Sequence, residues 1–425
     1  MSPAPKGMRD FSPEIMLLRK SVFSRLEAIF ERFGFDPFGT PVVELWETMK
    51  GKYGDEAENQ MLYYFKDKWS GREMALRYDL TVPLARYMAE NPNIPLPFCR
   101  YHIGRVYRHD RPQKGRYREF WQCDADVVGS PRPEADALIL NLTLEVMKEF
   151  GFNEFTVNLN DRRLLRGIFE KGIGIKNPGA LYTVIDKLDK IGEDGVKKEL
   201  GKIIDGKKVN EVMKILKISG KPGQVLEEIS EKFKNSDIEE SKRDLEEILA
   251  LIPTEKISLK LGMVRGLDYY TGPIFETLVE APAIGSITGG GRYDGLIAKY
   301  GGKDLPATGT TIGVERLIDA GLELGIFKKE KKTSAEVGII NIGAKSYSWK
   351  VADLLRRNGI KVRVDLMDRK DKKQSEYYRK LGIPVLIFIG KQEVDSGEAT
   401  VMFGQSREKV NLKDLPNKIK TFLKA

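Results

Sequence analysis

The spacing of apolar residues near the start of the chain predicts a long amphipathic helix over Ser12–Phe33. Leu18, Val22, Leu26 and Ile29 recur three or four positions apart, so they share one face of a helix. The same spacing predicts further helices over Glu134–Phe150, Thr311–Ile326, Ser346–Asn358, Asp371–Leu381 and Leu412–Leu423.

Alternation of apolar and polar residues predicts a central hairpin. Its two strands are expected over Tyr101–Arg108 and Phe120–Val128, joined by a polar loop rich in Arg, Gly and Pro. In the second strand one face is apolar, and the other carries Phe120, Gln122, Asp124 and Asp126. Shorter strands are predicted over Phe155–Leu159, Val337–Ile342, Lys361–Leu366, Val385–Ile389 and Thr400–Phe403.

The character of the pattern changes twice along the chain. Between residues 162 and 254 Lys, Glu, Ile and Leu dominate at helical spacing, which predicts a helical insertion. A Lys-rich linker follows at 328–333, and strands then alternate with helices over 334–425. We therefore expect an α/β (α+β) protein with a main domain over 1–327 that contains the insertion, and a small α/β domain over 334–425.

Composition narrows the class of protein. Apolar residues make up 41% and charged residues 31% of the 425 positions, which is ordinary for a globular chain. No run of about 18 apolar residues exists and the first residues lack a secretory signal, so we expect no membrane partner. Two cysteines cannot staple a chain of this length, which indicates a reducing, cytoplasmic compartment.

The net charge of +9 is concentrated in the last part of the chain. Residues 334–425 contain 19 Lys or Arg against 11 Asp or Glu, a local charge of +8. A basic module of this kind is typical of proteins that bind a polyanion. A solvated surface explains the same count, so the charge alone leaves both interpretations open.

A second concentration of positive charge lies in the predicted hairpin. Over residues 100–118 seven Lys and Arg stand against one acid, Asp110. Such a density is self-repelling unless an anion lies nearby. Guanidinium groups close to carboxylates and an amide suit a ligand with a polyphosphate at one end and an amine or imidazole at the other.

The same stretch raises the alternative of a zinc site, because it holds every cysteine and histidine of the chain: Cys99, His102, His109 and Cys123. Pairing of Glu119 with Arg108 would place Cys123 beside Gly104, about 16 Å along the strand from Cys99. Zinc–sulfur bonds are about 2.3 Å long, so we expect no metal held by these side chains.

Several motifs resemble those of a known family. Tyr107–Phe120 (Tyr-Arg-His-Asp-Arg-Pro-Gln-Lys-Gly-Arg-Tyr-Arg-Glu-Phe) resembles motif 2 of the class II aminoacyl-tRNA synthetases, and Gly313–Leu317 (Gly-Val-Glu-Arg-Leu) resembles motif 3. The predicted helix and strand that end at Pro41 look like motif 1. Arg265–Tyr270 (Arg-Gly-Leu-Asp-Tyr-Tyr) and Gly289–Asp294 (Gly-Gly-Gly-Arg-Tyr-Asp) are similar to two signatures peculiar to the histidyl-tRNA synthetases.

The resemblance covers nearly the whole chain. It implies a class II antiparallel sheet flanked by helices, followed by an anticodon-binding domain. It also implies ATP-dependent ligation of L-histidine to tRNA(His) through a histidyl-adenylate, with Mg²⁺ on the ATP and a homodimer formed through motif 1. Leu76–Thr81 and Asp126 depart from the bacterial pattern and look like the archaeal and eukaryotic branch, which leaves the fine geometry of the pocket open.

The family's functional residues carry over wherever this sequence matches its motifs. Arg265 resembles the catalytic arginine, and Arg108 resembles the residue that holds the α-phosphate. Histidine binding is implied for Asp79, Leu80, Thr81, Gln122, Asp126, Arg265, Tyr269 and Tyr270. ATP binding is implied for Arg108, Arg116, Phe120 and Arg316. Gln113 and Arg118 are candidates for contact with the acceptor end of the tRNA, either by reading bases or by holding phosphate.

Two other functions compete with this interpretation. A regulatory paralogue of the family binds histidine without acylating tRNA, but such paralogues lose the arginine signature and the C-terminal domain. An RNA-binding or sensor module on the same fold would not need intact motifs 2 and 3. No side chain in these motifs is an obvious base for transfer to tRNA, which leaves a phosphate oxygen of the substrate as the candidate.

Overall fold

The computed structural model describes residues 3–53, 60–264, 269–329 and 331–424. The chain forms two compact units. The first comprises Met1–Arg9 and Phe23–Phe327, and the second comprises Asp10–Val22 and Lys328–Ala425. None of the described helices is long and apolar enough to span a membrane.

Two sheets form the framework of the first unit. The strands are β1 (Asp36–Pro37), β2 (Val43–Leu45), β3 (Tyr64–Lys66), β4 (Glu73–Leu76), β5 (Phe98–Tyr107), β6 (Glu119–Val128), β7 (Phe155–Asp161), β8 (Ser219–Gly220), β9 (Ile257–Lys260), β10 (Pro273–Val279), β11 (Thr288–Arg292) and β12 (Ala307–Gly313). Nine of them pair in the order β1-β5-β6-β12-β11-β10-β7-β9-β8, and the others pair as β2-β4-β3. Only the β1–β5 and β7–β9 pairs among these described strands are parallel, which confirms the expected antiparallel sheet.

Helices flank this sheet and fill the segment between β7 and β9. Outside that segment they span Trp46–Met49, Thr81–Glu90, Pro133–Glu149 and Val314–Glu323, while helix Pro13–Arg32 is divided between the two units after Val22. Within it lie Arg162–Arg166, a π-helical turn Gly167–Gly172, Pro178–Ile185, Leu188–Leu200, Gly206–Leu216, Pro222–Lys232 and Ser236–Ala250. The side chain of Asn235 caps the last of these by accepting a hydrogen bond from the Ile238 amide.

Two sequence predictions about the sheet were wrong. The predicted helix over Thr311–Ile326 begins only at Val314, because Thr311–Gly313 end strand β12, where they pair with β6. The hairpin register is also shifted by one residue. Glu119 lies opposite Tyr107 rather than Arg108, which places Cys123 opposite Ile103 rather than Gly104.

The second unit has a five-stranded sheet. Its strands are β13 (Val337–Asn341), β14 (Val362–Val364), β15 (Val385–Ile389), β16 (Glu398–Phe403) and β17 (Ser406–Asn411), in the order β14-β13-β15-β16-β17. Helices Lys345–Arg357, Asp371–Lys380, Lys391–Ser396 and Leu415–Lys424 complete it. The predicted small α/β arrangement is confirmed, although strand β17 and helix Lys391–Ser396 were not expected. Strands β13 and β15 are nearly continuous apolar runs, as parallel strands covered on both faces require.

Candidate active site

A cavity of about 320 Å³ lies against the central strands of the nine-stranded sheet. Its size suits a small-molecule ligand. Ten of the residues predicted to bind substrate line it: Asp79, Thr81, Arg108, Arg116, Phe120, Gln122, Asp126, Tyr269, Tyr270 and Arg316. Leu80, Gln113 and Arg118 do not line it, and Arg265 lies outside the described residues.

Strand β6 runs along the base of the cavity. Phe120, Gln122 and Asp126 line it, whereas Asp124, which the alternation placed on the same face, is buried and does not line it. Phe120 and Asp126 are six residues apart, about 20 Å at the rise of a β-strand. The cavity therefore has an aromatic end near the start of β6 and a carboxylate end near its finish.

Asp79 is a buried carboxylate just before helix Thr81–Glu90. Its Oδ1 accepts hydrogen bonds of 3.0 Å from the Tyr53 hydroxyl and from the Val82 amide. Its Oδ2 is also buried and has no hydrogen-bond partner in the described part of the chain. Burial raises the pKa of Asp79, while the Val82 amide and the guanidinium of Arg108 lower it. A cationic ligand group would satisfy the unpaired oxygen.

Asp126 lies near the C-terminal end of β6 and is only 2% exposed. Its Oδ1 accepts a 2.6 Å hydrogen bond from the Tyr293 hydroxyl. Burial raises the pKa of Tyr293 well above its ordinary value, so this hydroxyl keeps its proton and donates. Gly309 on β12 lies directly beside the carboxylate, and a Cβ there would come within 2.0 Å of Oδ1. Only glycine fits at that position.

Three tyrosine rings form a wall close to Asp126. The ring centroids of Tyr269 and Tyr270 are 4.9 Å apart, and those of Tyr269 and Tyr293 are 5.9 Å apart. All three residues line the cavity. The wall presents aromatic surface that can pack against a planar ligand group.

Arg108 lies in the cavity and is held there by contacts with Tyr78, Gln122 and Phe120. Its Nε donates a 3.1 Å hydrogen bond to the Tyr78 carbonyl, and its Nη2 lies 3.5 Å from Gln122 Oε1. The guanidinium also lies over the rings of Tyr78 and Phe120, at 4.2 and 5.2 Å from their centroids. These contacts fix the cation in the cavity beside Asp79.

Two further arginines hold positions near the Phe120 end. Arg316 donates from Nε to the Gly115 carbonyl at 2.9 Å and from Nη1 to the Ser286 carbonyl at 2.8 Å. The plane of its guanidinium is therefore fixed by backbone on two sides. Arg116 forms a 3.2 Å ion pair with Asp110 in the loop between β5 and β6.

The three predicted residues outside the lining occupy distinct positions. The Leu80 carbonyl accepts a hydrogen bond from Arg100. Gln113 is exposed in a turn where its backbone pairs with that of Arg116. Arg118 donates from Nε to the Asp110 carbonyl at 3.0 Å, so it braces the loop from behind.

Comparisons with known proteins agree with this geometry. A family model described as Histidyl-tRNA synthetase matches residues 7–317, and one described as Anticodon binding domain matches residues 336–422. The chain belongs to the histidyl-tRNA synthetase family. This result confirms the resemblance carried by the motifs, and the mostly archaeal relatives are consistent with the branch that those motifs indicate.

Individual members of the histidyl-tRNA synthetase family match over almost their full length. The histidine–tRNA ligase of Aeropyrum pernix is 51% identical over 410 residues, covering 96% of this chain and 94% of the relative. That of Korarchaeum cryptofilum is 49% identical over 428 residues, covering 100% and 99%. The crystal structure of histidyl-tRNA synthetase from Nostoc sp. PCC 7120 superposes with a TM-score of 0.84 at 29% identity, over 99% of both chains.

Sequence reasoning missed several residues that support those of the family motifs. Tyr53 donates to Asp79 and Tyr293 to Asp126, and Thr311 lies 3.3 Å from the Gln122 amide nitrogen. Glu315 accepts a 2.9 Å hydrogen bond from the Trp121 amide and so joins motif 3 to β6. Tyr293 belongs to the glycine-rich signature, which was the one sequence signal that could have identified it.

Proposed function

We propose that this chain catalyses the ATP-dependent ligation of L-histidine to tRNA(His), with release of pyrophosphate and AMP. The observation that carries this proposal is that carboxylate and guanidinium groups lie together in one cavity, among them the unpaired Oδ2 of Asp79. Asp79 and Asp126 offer acceptors for an amino acid, while Arg108 and Arg116 offer donors for a triphosphate. Membership of the histidyl-tRNA synthetase family supports the same substrates.

In the first step a carboxylate oxygen of histidine attacks the α-phosphorus of ATP, and the bond to pyrophosphate breaks. Two anions must approach each other, so the enzyme has to supply positive charge where they meet. We assign Arg108 to the α-phosphate and Arg116 to the γ-phosphate. The family motif assigns Arg265 to the reacting centre, as the principal electrophilic catalyst.

Histidine recognition is divided between two carboxylates of the cavity, Asp79 and Asp126. The unpaired Oδ2 of Asp79, with Thr81 and Gln122, is suited to the α-ammonium group. Asp126 is suited to an imidazole N–H, with Tyr269 and Tyr270 beside the ring. A buried acceptor at that position discriminates against isosteres without an N–H, because these cannot form the hydrogen bond that the ring N–H donates.

The ATP base belongs at the Phe120 end. We propose that adenine lies between Phe120 and Arg316, whose guanidinium is already fixed in plane by the Gly115 and Ser286 carbonyls. The carboxylates of Asp110 and Glu315 line the cavity and are the groups that would hold a Mg²⁺ ion bound mainly by the ATP phosphates. Such an ion would neutralise charge on the phosphates.

The second step attaches histidine to tRNA. The 3′-hydroxyl of the terminal adenosine attacks the adenylate carbonyl and AMP leaves. Gln113 stands exposed on the loop between β5 and β6, and this position supports contact with the acceptor end of the tRNA. Arg118 holds the same loop through the Asp110 carbonyl, and we propose that it also serves this contact.

We propose that residues 334–425 bind the anticodon end of the tRNA. A crevice of about 190 Å³ lies at the carboxyl ends of β13 and β14, lined by Asn341, Lys345, Trp349 and Asp365 among others. Ligands of open α/β sheets usually bind at this edge. The indole of Trp349 is 41% exposed and offers a surface on which an unpaired base can stack.

The remaining organisation is proposed on the same basis. Residues 1–327 form the catalytic domain with an insertion at about 162–254, and 328–333 is the linker. We expect a homodimer through helix Pro13–Arg32 and the segment that ends at Pro41. A reducing, cytoplasmic compartment suits two cysteines that are both free. Sedimentation as a fully active monomer would contradict the dimer.

Pyrophosphate exchange into ATP tests the proposed function. With the purified full-length chain, exchange should depend on L-histidine and be absent with each of the other amino acids. A regulatory paralogue would bind histidine without exchange, and an RNA-binding module would do neither. Charging of tRNA(His) transcripts then tests the second step.

A further inference from the structure

Arg100 is a fully buried cation that does not line the cavity. It lies on β5 directly opposite Asp126 on β6, so the two side chains share one face of the sheet. Its Nη2 is 2.7 Å from Asp126 Oδ2 and donates a 3.1 Å hydrogen bond to the Leu80 carbonyl. One nitrogen thus contacts the carboxylate proposed for imidazole binding and the backbone next to Asp79.

The surroundings of Asp126 favour a positively charged partner such as Arg100. The carboxylate is almost completely buried, and its nearest acidic neighbour on the same strand is Asp124, which is 1% exposed. Burial raises the pKa of Asp124 to about 8 and also raises that of Asp126, and Arg100 opposes both shifts. A buried carboxylate without a positive partner takes up a proton rather than remain charged.

We infer that Arg100 is a positioning residue for histidine selection, which pairs with the Asp126 carboxylate and holds it at a fixed distance from the Asp79–Thr81 segment. The inference rests on the proposed function, because it takes Asp126 to face the imidazole. The guanidinium of Arg100 then connects Asp126, which accepts from the imidazole ring, to the Asp79–Thr81 segment, which binds the α-ammonium group. The distance between the two binding groups is therefore fixed to match that between the ring and the ammonium group of histidine.

Kinetics of pyrophosphate exchange test this inference in the full-length chain. The Arg100→Met variant keeps an unbranched apolar side chain of similar length but removes the charge. We expect its KM for histidine to rise roughly tenfold to a hundredfold, the scale of one charge-assisted hydrogen bond, while KM for ATP changes by less than about twofold. A rise confined to the amino acid marks lost histidine binding rather than a loss of folded enzyme.

Two further variants separate positioning from general stabilisation. Arg100→Lys restores the charge on a shorter side chain, and an ammonium that reaches less far toward Asp126 and the Leu80 carbonyl should recover only part of the histidine affinity. The double variant Arg100→Met with Asp126→Asn should match Asp126→Asn alone, because both substitutions remove the same interaction. Arg100→Lys also keeps the test open if Arg100→Met does not fold.

A matched control uses another buried ion pair of the same unit. Asp136 lies 2.6 Å from Arg292, is as buried as Asp126 and does not line the cavity. Asp136→Asn should lower the melting temperature while leaving KM for histidine within about twofold of wild type, since its charge acts only on folding.

Three results would overturn the inference. These are equal changes of KM for histidine and ATP in Arg100→Met and Arg100→Lys, no change in either variant, or full additivity in the double variant. Wild-type exchange with an amino acid other than histidine would instead overturn the proposed function itself. The two failures are therefore distinguishable.

Discussion

The two units of this chain handle charge in opposite ways. In the first unit, the two acids proposed to bind histidine and the arginine behind them are removed from water: Asp79, Asp126 and Arg100 are each no more than 3% exposed. In the second unit a net charge of +8 lies over residues 334–425, and the core behind it is aliphatic, with Val337, Ile387 and Val401 fully buried. Buried charge suits one ligand in one geometry, whereas exposed charge suits a large polyanion in many.

The physical reason is the strength and range of the interactions. The energy of a charged contact away from water changes when the two groups move by a few tenths of an ångström, and salt screens it little. Exposed lysines act through their summed electric field. Their contribution to binding falls as salt is added, because the release of counterions from the polyanion becomes less favourable. Substitutions in the first unit should therefore change one substrate selectively, and those in the second should change tRNA affinity.

The largest effect is expected at Arg265, which the family motif assigns to the reacting centre. Arg265→Ala should lower single-turnover adenylate formation roughly 10²–10³-fold at saturating histidine and ATP, the scale for one preorganised charge contact. Arg265→Lys should recover little, because a lysine cannot contact both anions through a planar fork. A near wild-type rate in Arg265→Ala would leave the chemistry to Arg108 and the Mg²⁺ on ATP.

A smaller but more selective effect is expected at Asp126. Asp126→Asn preserves size and removes the charge. The KM for histidine should therefore rise by an amount that corresponds to a loss of roughly 1.5–3 kcal/mol in binding free energy. KM for ATP should change little, since the proposed ATP contacts lie toward Phe120. Parallel rises for both substrates would mean that Asp126 supports the fold through Arg100 and Tyr293 rather than reading the ring.

Local pattern predicted most of the β6 side chains that face the cavity. Alternation along β6 assigned Phe120, Gln122, Asp124 and Asp126 to one face, because side chains of a strand point to opposite sides in turn, and all of these except Asp124 line the cavity. It could not set the pairing partner, since register depends on the turn between the strands. That is why the partner of Glu119 was misplaced by one residue.

Contacts between distant parts of the chain could not be predicted. Tyr293 contacts Asp126 across 167 positions, and the signature that contains Tyr293 marks the residue but not its partner. The helix predicted from Thr311 started too early for the same reason. The Thr310–Ile312 segment pairs with β6 and β11, and this pairing with distant strands prevails over local preference.

An intermediate effect is expected in the crevice of the second unit. Trp349→Ala should weaken binding of tRNA(His) by roughly 1–3 kcal/mol if one base stacks on the indole. Stacking releases no counterions, so the dependence of affinity on salt should keep its slope. Phe422→Ala, an exposed aromatic outside the crevice, serves as the control and should leave the affinity unchanged. Equal affinities for wild type and Trp349→Ala would remove the crevice from tRNA binding.

The smallest effect is expected at an exposed ion pair of the second unit. Lys361 lies 2.8 Å from Glu336, and both groups are partly in water. Partial burial raises the pKa of Glu336, but hydrogen bonds from the Lys361 side chain and amide outweigh it and leave the pKa below its ordinary value. The stabilisation is therefore present above the unfolded pKa near 4.5 and lost as pH falls through the folded pKa.

Glu336→Gln should accordingly cost less than about 1 kcal/mol at neutral pH, the usual range for exposed pairs. Calorimetric melting of the full-length chain in low and high salt measures it, with Lys361→Gln and the double variant completing the cycle. The coupling should shrink in high salt, because mobile ions screen charges that water already reaches. A coupling of several kcal/mol that persists in salt would place this pair in the same class as Arg100 and Asp126. The contrast between the two units would then lie in what surrounds the charges and not in their exposure.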